Sequence, residues 1–278
     1  MRFVSYSLGG KNGLAVRRGK DLIDLGTIEL IDVLRTGPNA LAELGRSAKG
    51  AAIDASKIRY RPPIGNPGKI ICIGLNYADH ATESQMKKPD YPPMFSRFNT
   101  TLIGHNEPII RPKVSTQLDY EGELVAVIGK GGKHISRERA FDHIVGYSLF
   151  NEASVRDYQF KSSQWTVGKN FDATGPFGPE LVTSDELPPG CKGLKIETRL
   201  NGQTLQSANT DVMIFPIADL IYYVSEAITL EPGDIIVTGT PSGVGFARKP
   251  PIWMKPGDIC EIEVEGIGIL SNPVKDEA

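Results

Sequence analysis

The stretch Leu118-Asp119-Tyr120-Glu121-Gly122-Glu123-Leu124-Val125-Ala126-Val127-Ile128 places two carboxylates inside an otherwise apolar run. Read as a strand, it puts Glu121, Glu123, Val125 and Val127 on one face and Tyr120, Gly122, Leu124, Ala126 and Ile128 on the other. Both faces are largely apolar, so the strand is expected to be covered on both sides. Ionised carboxylates are costly to bury unless they are paired or bound to a cation. Two readings satisfy them. Either Glu121 and Glu123 converge on a hard divalent cation, with Gly122 letting another element approach the backbone, or they sit at an exposed strand end and pair with Lys or Arg. Glu152 offers a third carboxylate at the end of the apolar run 146–151; its other reading is an ordinary helix-start acid. His80, His105, His134 and His143 show no paired spacing, which disfavours zinc and leaves an all-oxygen Mg²⁺ or Mn²⁺ site.

His80 and Glu83 stand at i and i+3 in a segment that reads as a helix over 76–86, so both lie on one face. A carboxylate there can orient an imidazole and stabilise its protonated form, a pair suited to activating water; a surface pair without consequence is the plainer reading. The loop 239–245 lacks the Gly-Lys-Ser/Thr ending of a phosphate-binding loop, and no Gly-x-Gly-x-x-Gly follows a first strand, so no nucleotide site is expected. Backbone N–H groups of that loop can still cradle a carboxylate oxygen. Ser242 is outside a Gly-x-Ser-x-Gly elbow and Cys72 is flanked by Ile71 and Ile73, so neither reads as a covalent nucleophile.

The elements that must position these groups are mostly strands. Short strand patterns cover 2–7 and 14–25, with Gly19-Lys20 as a hairpin turn, and helical spacing follows over 28–34 and 40–52. The Pro- and Gly-dense segment 61–68 closes this unit, which sets a small N-terminal α+β domain over 1–65 and a catalytic domain over 66–278. Beyond it, strands are predicted at 69–73, 122–128, 143–151, 194–200, 234–238 and 259–264, with one clear helix at 217–228. Pro-Gly-Asp-Ile opens a strand twice, at 232–235 and 256–259, as one turn used in two places.

Lys plus Arg number 31 against 33 Asp plus Glu, a balance that gives no electrostatic footprint for nucleic acid or an anionic membrane. Apolar runs are too short to span a bilayer, and residues 1–10 carry no signal-like stretch. The odd, scattered Cys72, Cys191 and Cys260 fit a reducing cytoplasm, which is the expected location.

Taken together, the runs 74–80, 118–124, 146–159, 164–169, 176–179 and 239–245 resemble the fumarylacetoacetate hydrolase family, specifically its acylpyruvate-hydrolase-like group, from about residue 69 to 273. The resemblance implies an α+β, β-rich fold, a mixed β-sandwich roll wrapped around the metal site, and a homodimer. It implies metal ligation by Glu121, Glu123 and Glu152, where the family's usual third ligand is Asp, one methylene shorter. It implies His80, Glu83 and Lys169 as catalytic groups and Arg97, Gln159 and Thr240 as substrate contacts, with Arg156 orienting either the metal ligands or the carboxylate end of the substrate. Many relatives carry Lys where Arg97 stands, and the exchange alters donor geometry. The implied reaction is Mg²⁺- or Mn²⁺-dependent cleavage of the C3–C4 bond of a 2,4-dioxo acid of the acylpyruvate, fumarylpyruvate or maleylpyruvate type, giving pyruvate and a carboxylic acid, as in aromatic catabolism. Isomerisation of 2-hydroxyhepta-2,4-diene-1,7-dioate, oxaloacetate-type decarboxylation and a catalytically silent ligand-binding role are the alternatives.

Overall fold

The computed structural model describes residues 1–83 and 87–278. The apolar run that holds the two glutamates forms the strand Gly122–Ile128, buried at every position. It pairs antiparallel with Ile144–Asn151 on one side and with Ile235–Val237 on the other. Ile235–Val237 in turn runs parallel to Ile70–Ile73, while Ile144–Asn151 pairs antiparallel with Gly175–Thr183. Arg2–Leu8, the first strand of the chain, pairs with Gly175–Thr183, so the N-terminal strands extend the same sheet. Among the described residues that sheet has twelve strands, and a second sheet of five packs on it.

Burial on both faces follows from the alternation. Leu124, Ala126 and Ile128 share a core with Ile196, Ile262 and Leu270 of the second sheet. Val125 and Val127 pack with Phe3, Leu14, Leu30, Leu34 and Leu41 of the N-terminal segment. Each fully buried Leu, Ile or Val side chain contributes roughly 1.5–3 kcal/mol, so the strand is fixed in register by apolar packing on both sides. Gly122 is the point of closest approach: a Cβ there would lie 2.1 Å from Thr198 Oγ1 on the second sheet. The fold is therefore β-rich α+β, with few and short helices.

The two Pro-Gly-Asp turns are the same structure. Glu231 N–H donates to Asp234 Oδ2 at 2.8 Å and Lys255 N–H to Asp258 Oδ2 at 2.9 Å. Gly233 and Gly257 hold φ of 93° and 90°, which only glycine adopts without strain. Elsewhere boundaries move. The helix read over 40–52 ends at Ser47, because Ala52–Ile53 pairs with Asp21–Asp24 as the edge strand of the sheet. The helix read over 76–86 is present as Ala78–Glu83, and its residues 84–86 lie outside the described residues. Gly175–Thr183, Gln203–Asn209 and Gly268–Asp276 are strands the hydrophobic pattern does not announce; Pro176 and Pro179 interrupt the first of them.

Candidate active site

The site forms where strand pairing stops. Past Gly122 the chain turns into Leu118–Asp119, which pairs with Ser154–Val155, so Glu121 and Glu152 face each other across the junction. Glu152 N–H donates to Glu121 O at 2.9 Å, and Glu121 N–H donates to Asn151 Oδ1 at 3.1 Å. One carboxylate oxygen from each of Glu121, Glu123 and Glu152 lies within 4.8 Å of the others, and all three residues are buried.

Two cations touch this cluster. Lys169 Nζ, on the short helix Thr166–Lys169, lies 2.8 Å from Glu121 Oε2 and 3.3 Å from Glu152 Oε2. Arg156, on Arg156–Gln159, hydrogen-bonds Asp119 Oδ2 through Nε at 2.8 Å, and its Nη2 makes close ion-pair contacts with Asp119 and Glu121. Asp119, Glu121 and Glu152 thus share two cations, while Glu123 has no ion-pair partner among the described residues and accepts from Gly239 N–H. Glu152 Oε1 has no hydrogen-bond partner among the described residues although it is buried. Three converging carboxylates with one such oxygen and no nitrogen or sulfur donor fit a hard Mg²⁺- or Mn²⁺-type ion, held by Glu121, Glu123 and Glu152.

The ionisation of the cluster is uneven. Burial opposes the charge of Glu121, but Lys169, Arg156 and His80 outweigh it and hold the carboxyl down at about 2. Burial, then the neighbouring charges of Glu152 and Glu121, push Glu123 well above the usual carboxylate range, against a hydrogen bond from Gly239 N–H. Burial likewise raises Asp119. Lys169 is disfavoured by burial yet raised overall by Glu121 and Glu152, so it stays an ammonium.

His80 Nδ1 lies 2.9 Å from Glu83 Oε1, and both Glu83 oxygens accept from Gly243 N–H, at 3.0 and 2.9 Å. Because a carboxylate only accepts, His80 carries its proton on Nδ1 in the neutral form and leaves the Nε2 lone pair free. His80 lines the cavity, as do Glu121, Glu123, Glu152, Arg156, Gln159, Lys169 and Thr240. Phe95, Trp165, Phe160 and Phe246 wall a space of about 30 Å³. These aromatic walls pair edge to face, Phe95 on Trp165 and Phe160 on Phe246.

Of the three residues expected as substrate contacts, Gln159 and Thr240 line the cavity and Arg97 does not, and all three have protein partners. Arg97 does not line the cavity: it is buried beneath it and donates to Thr101 Oγ1, Ala153 O and Thr174 Oγ1, so its guanidinium is committed to structure. Thr240 donates its hydroxyl proton to Gly122 O and accepts from Gln206 Nε2, so no hydroxyl proton is left for a ligand. Gln159 Oε1 accepts from Arg156 Nη1 at 2.8 Å, which directs its amide N–H₂ elsewhere. Asp119 and Gln206 are the site residues the sequence reading did not single out. Asp119 was visible as a third acid in the same run; Gln206, which bridges Gly122 N–H and the loop at Thr240 and Pro241, had no local signal.

The family model "Fumarylacetoacetate (FAA) hydrolase C-terminal" matches residues 69–275. A protein named oxaloacetate tautomerase fahd2, mitochondrial, from Xenopus laevis is 41% identical over 99% of this chain and 90% of its own length. The solved fumarylacetoacetate hydrolase of Exiguobacterium antarcticum is 33% identical with a TM-score of 0.87, each chain covered in full. The 2-hydroxyhepta-2,4-diene-1,7-dioate isomerase of Mycobacterium marinum is 31% identical with a TM-score of 0.80, over 100% of this chain and 99% of that one. With its β-rich fold and buried carboxylate triad, the chain belongs to the fumarylacetoacetate hydrolase family.

Proposed function

We propose that this chain is a Mg²⁺- or Mn²⁺-dependent enzyme that moves a proton at the carbon beside the 2-oxo group of a short 2-oxo acid, with oxaloacetate keto–enol tautomerisation as its reaction. The observation that carries the reading is the meeting of the His80–Glu83 pair, the Lys169 ammonium and three buried carboxylates on one small cavity. Full-length similarity to an oxaloacetate tautomerase supports the substrate.

A divalent ion held by Glu121, Glu123 and Glu152 would supply Lewis acidity that favours the enolate. His80 Nε2 takes the C3 proton, the C–H electron pair becomes the C2=C3 double bond and the carbonyl π pair moves onto the 2-oxo oxygen; the same proton is then returned to that oxygen, or the sequence runs in reverse. Glu83 stabilises the imidazolium and is itself held by Gly243 N–H. Lys169 balances the oxyanion charge. Gln159, fixed by Arg156, offers N–H to a substrate carboxylate, and the aromatic walls narrow the cavity around it.

The test follows decay of the ultraviolet absorbance of enol-oxaloacetate with Mn²⁺ or Mg²⁺, with chelator, and with His80→Ala. Metal-dependent acceleration that chelator abolishes and His80→Ala lowers is the expected result; no acceleration in either metal overturns the reading. A second reading has its own support in the 2.9 Å His80–Glu83 contact, which is equally suited to activating water for cleavage of a 2,4-dioxo acid. Pyruvate release from acylpyruvate, fumarylpyruvate or maleylpyruvate, without enol-oxaloacetate turnover, would favour it. Carbon dioxide release from oxaloacetate, or isomerisation of 2-hydroxyhepta-2,4-diene-1,7-dioate, marks the remaining enolate chemistries.

A further inference from the structure

One buried carboxylate joins the metal-type cluster to the support of the His80–Glu83 pair. Asp119 is fully buried and reaches two elements at once. Its Oδ1 accepts from Gly245 N–H at 2.7 Å and its Oδ2 from Phe246 N–H at 3.1 Å. Its Oδ2 also binds Arg156, whose Nη2 lies 2.6 Å from Glu121 Oε1. The next residue, Tyr120, donates its hydroxyl to Gly243 O at 3.0 Å, and Gly243 N–H is the group that holds Glu83. Three successive residues, Asp119, Tyr120 and Glu121, therefore fasten the loop 243–246 at one end and enter the carboxylate triad at the other.

We propose that Asp119 is a positioning residue that sets Glu121, through Arg156, and the Glu83 anchor, through the loop 243–246, so that metal affinity and docking of the His80–Glu83 pair depend on one carboxylate. Asp119 neither lines the cavity nor belongs to the triad, so it acts on them through these partners and through its charge beside Glu121. An amide in place of the Asp119 carboxylate keeps one oxygen for Tyr120 and Gly245 N–H but sets an NH₂ donor against Phe246 N–H and Arg156 Nε, which loosens the loop and frees Arg156 to rotate off Glu121. Supporting partners of metal ligands change affinity by about 10–100-fold when removed, and that is the scale expected here.

The inference rests on the metal-centre reading, and the experiment separates the two. Mn²⁺ affinity is measured by calorimetry, and amide hydrogen exchange is followed across residues 243–246, in the wild type, Asp119→Asn and Arg156→Lys. Asp119→Asn is expected to weaken Mn²⁺ at least tenfold and to speed exchange of the loop. Arg156→Lys, which cuts the link to Glu121 but leaves Asp119 on the loop, is expected to weaken Mn²⁺ while loop exchange stays slow. If Asp119→Asn does not fold, Arg156→Lys carries the test alone: wild-type Mn²⁺ affinity in that variant overturns the proposal. Wild-type affinity and wild-type loop exchange in Asp119→Asn overturn it equally. A wild-type protein that binds no Mn²⁺ or Mg²⁺ overturns both the metal reading and this role.

Discussion

The ammonium of Lys169 lies 2.8 Å from Glu121 Oε2 and 3.3 Å from Glu152 Oε2, bridging two of the three carboxylates that would hold a metal ion. The cation thus stabilises the cluster before any metal arrives. Replacing Lys169 by Met leaves the buried Glu152 without its cation and Glu121 with Arg156 alone, and breaking a buried pair typically costs about 3–5 kcal/mol. Urea unfolding of Lys169→Met in chelator should show a loss of that order, and Mn²⁺ should narrow the gap to wild type. Equal destabilisation with and without Mn²⁺ would show that Lys169 and the ion do not share the same carboxylates.

Metal affinity should rise with pH. Without metal, Glu123 is pushed well above the ordinary carboxylate range and so keeps its proton at mildly acid pH. Ligation requires the carboxylate, so binding releases that proton, and affinity climbs until the raised value is passed and then levels. The sign for folding is opposite. A group raised in the folded state contributes stability below its unfolded value and loses it as pH rises through the folded one. Glu121, held at about 2, contributes stability above its ordinary value and loses it progressively as pH falls from there through about 2. Calorimetry in buffers of different ionisation enthalpy should detect proton release on Mn²⁺ binding; no buffer dependence would remove Glu123 from the ligand set.

Much of the site was legible because charge inside an apolar, alternating run is conspicuous. Glu121 and Glu123 stood out against Val125 and Val127 for that reason, whereas the i, i+3 spacing of His80 and Glu83 reads alone as a surface pair and only the family resemblance gives it a catalytic role. Arg97 was not legible: nothing in Phe95-Ser96-Arg97-Phe98 tells whether a guanidinium faces a cavity or the distant Ala153 O and Thr174 Oγ1. The role of Asp119 was hidden similarly, since its backbone partners lie 126 and 127 residues further along the chain. Both Pro-Gly-Asp turns could be read because their geometry is local. The pairing of Arg2–Leu8 with Gly175–Thr183 could not, because no local pattern specifies a partner that far away.

Gly122 separates the two strand glutamates, and the second sheet presses directly on it. A methyl group at this position meets Thr198 Oγ1 at 2.1 Å, so Gly122→Ala should destabilise by about 1–3 kcal/mol, as overpacked cores do. Thr198 Oγ1 is buried without a hydrogen-bond partner among the described residues, so Thr198→Ala alone should cost little. The double variant is expected to recover much of the stability lost in Gly122→Ala. Thermal unfolding of all three checks the cycle, and additive losses would place the strain elsewhere.

His80 separates chemistry from metal holding. It lines the cavity but lies outside the carboxylate triad, and its contact is with Glu83. Under the proposed tautomerisation, His80→Ala should lower turnover of enol-oxaloacetate by about 10²–10⁴-fold, the usual contribution of a positioned general base. Mn²⁺ affinity, set by Glu121, Glu123 and Glu152, should stay close to wild type. Glu83→Gln keeps an acceptor for Nδ1 but removes the charge that stabilises the imidazolium, so its loss should be smaller than that of His80→Ala. Turnover unchanged in His80→Ala would remove His80 as the proton acceptor and assign that step to another group on the cavity.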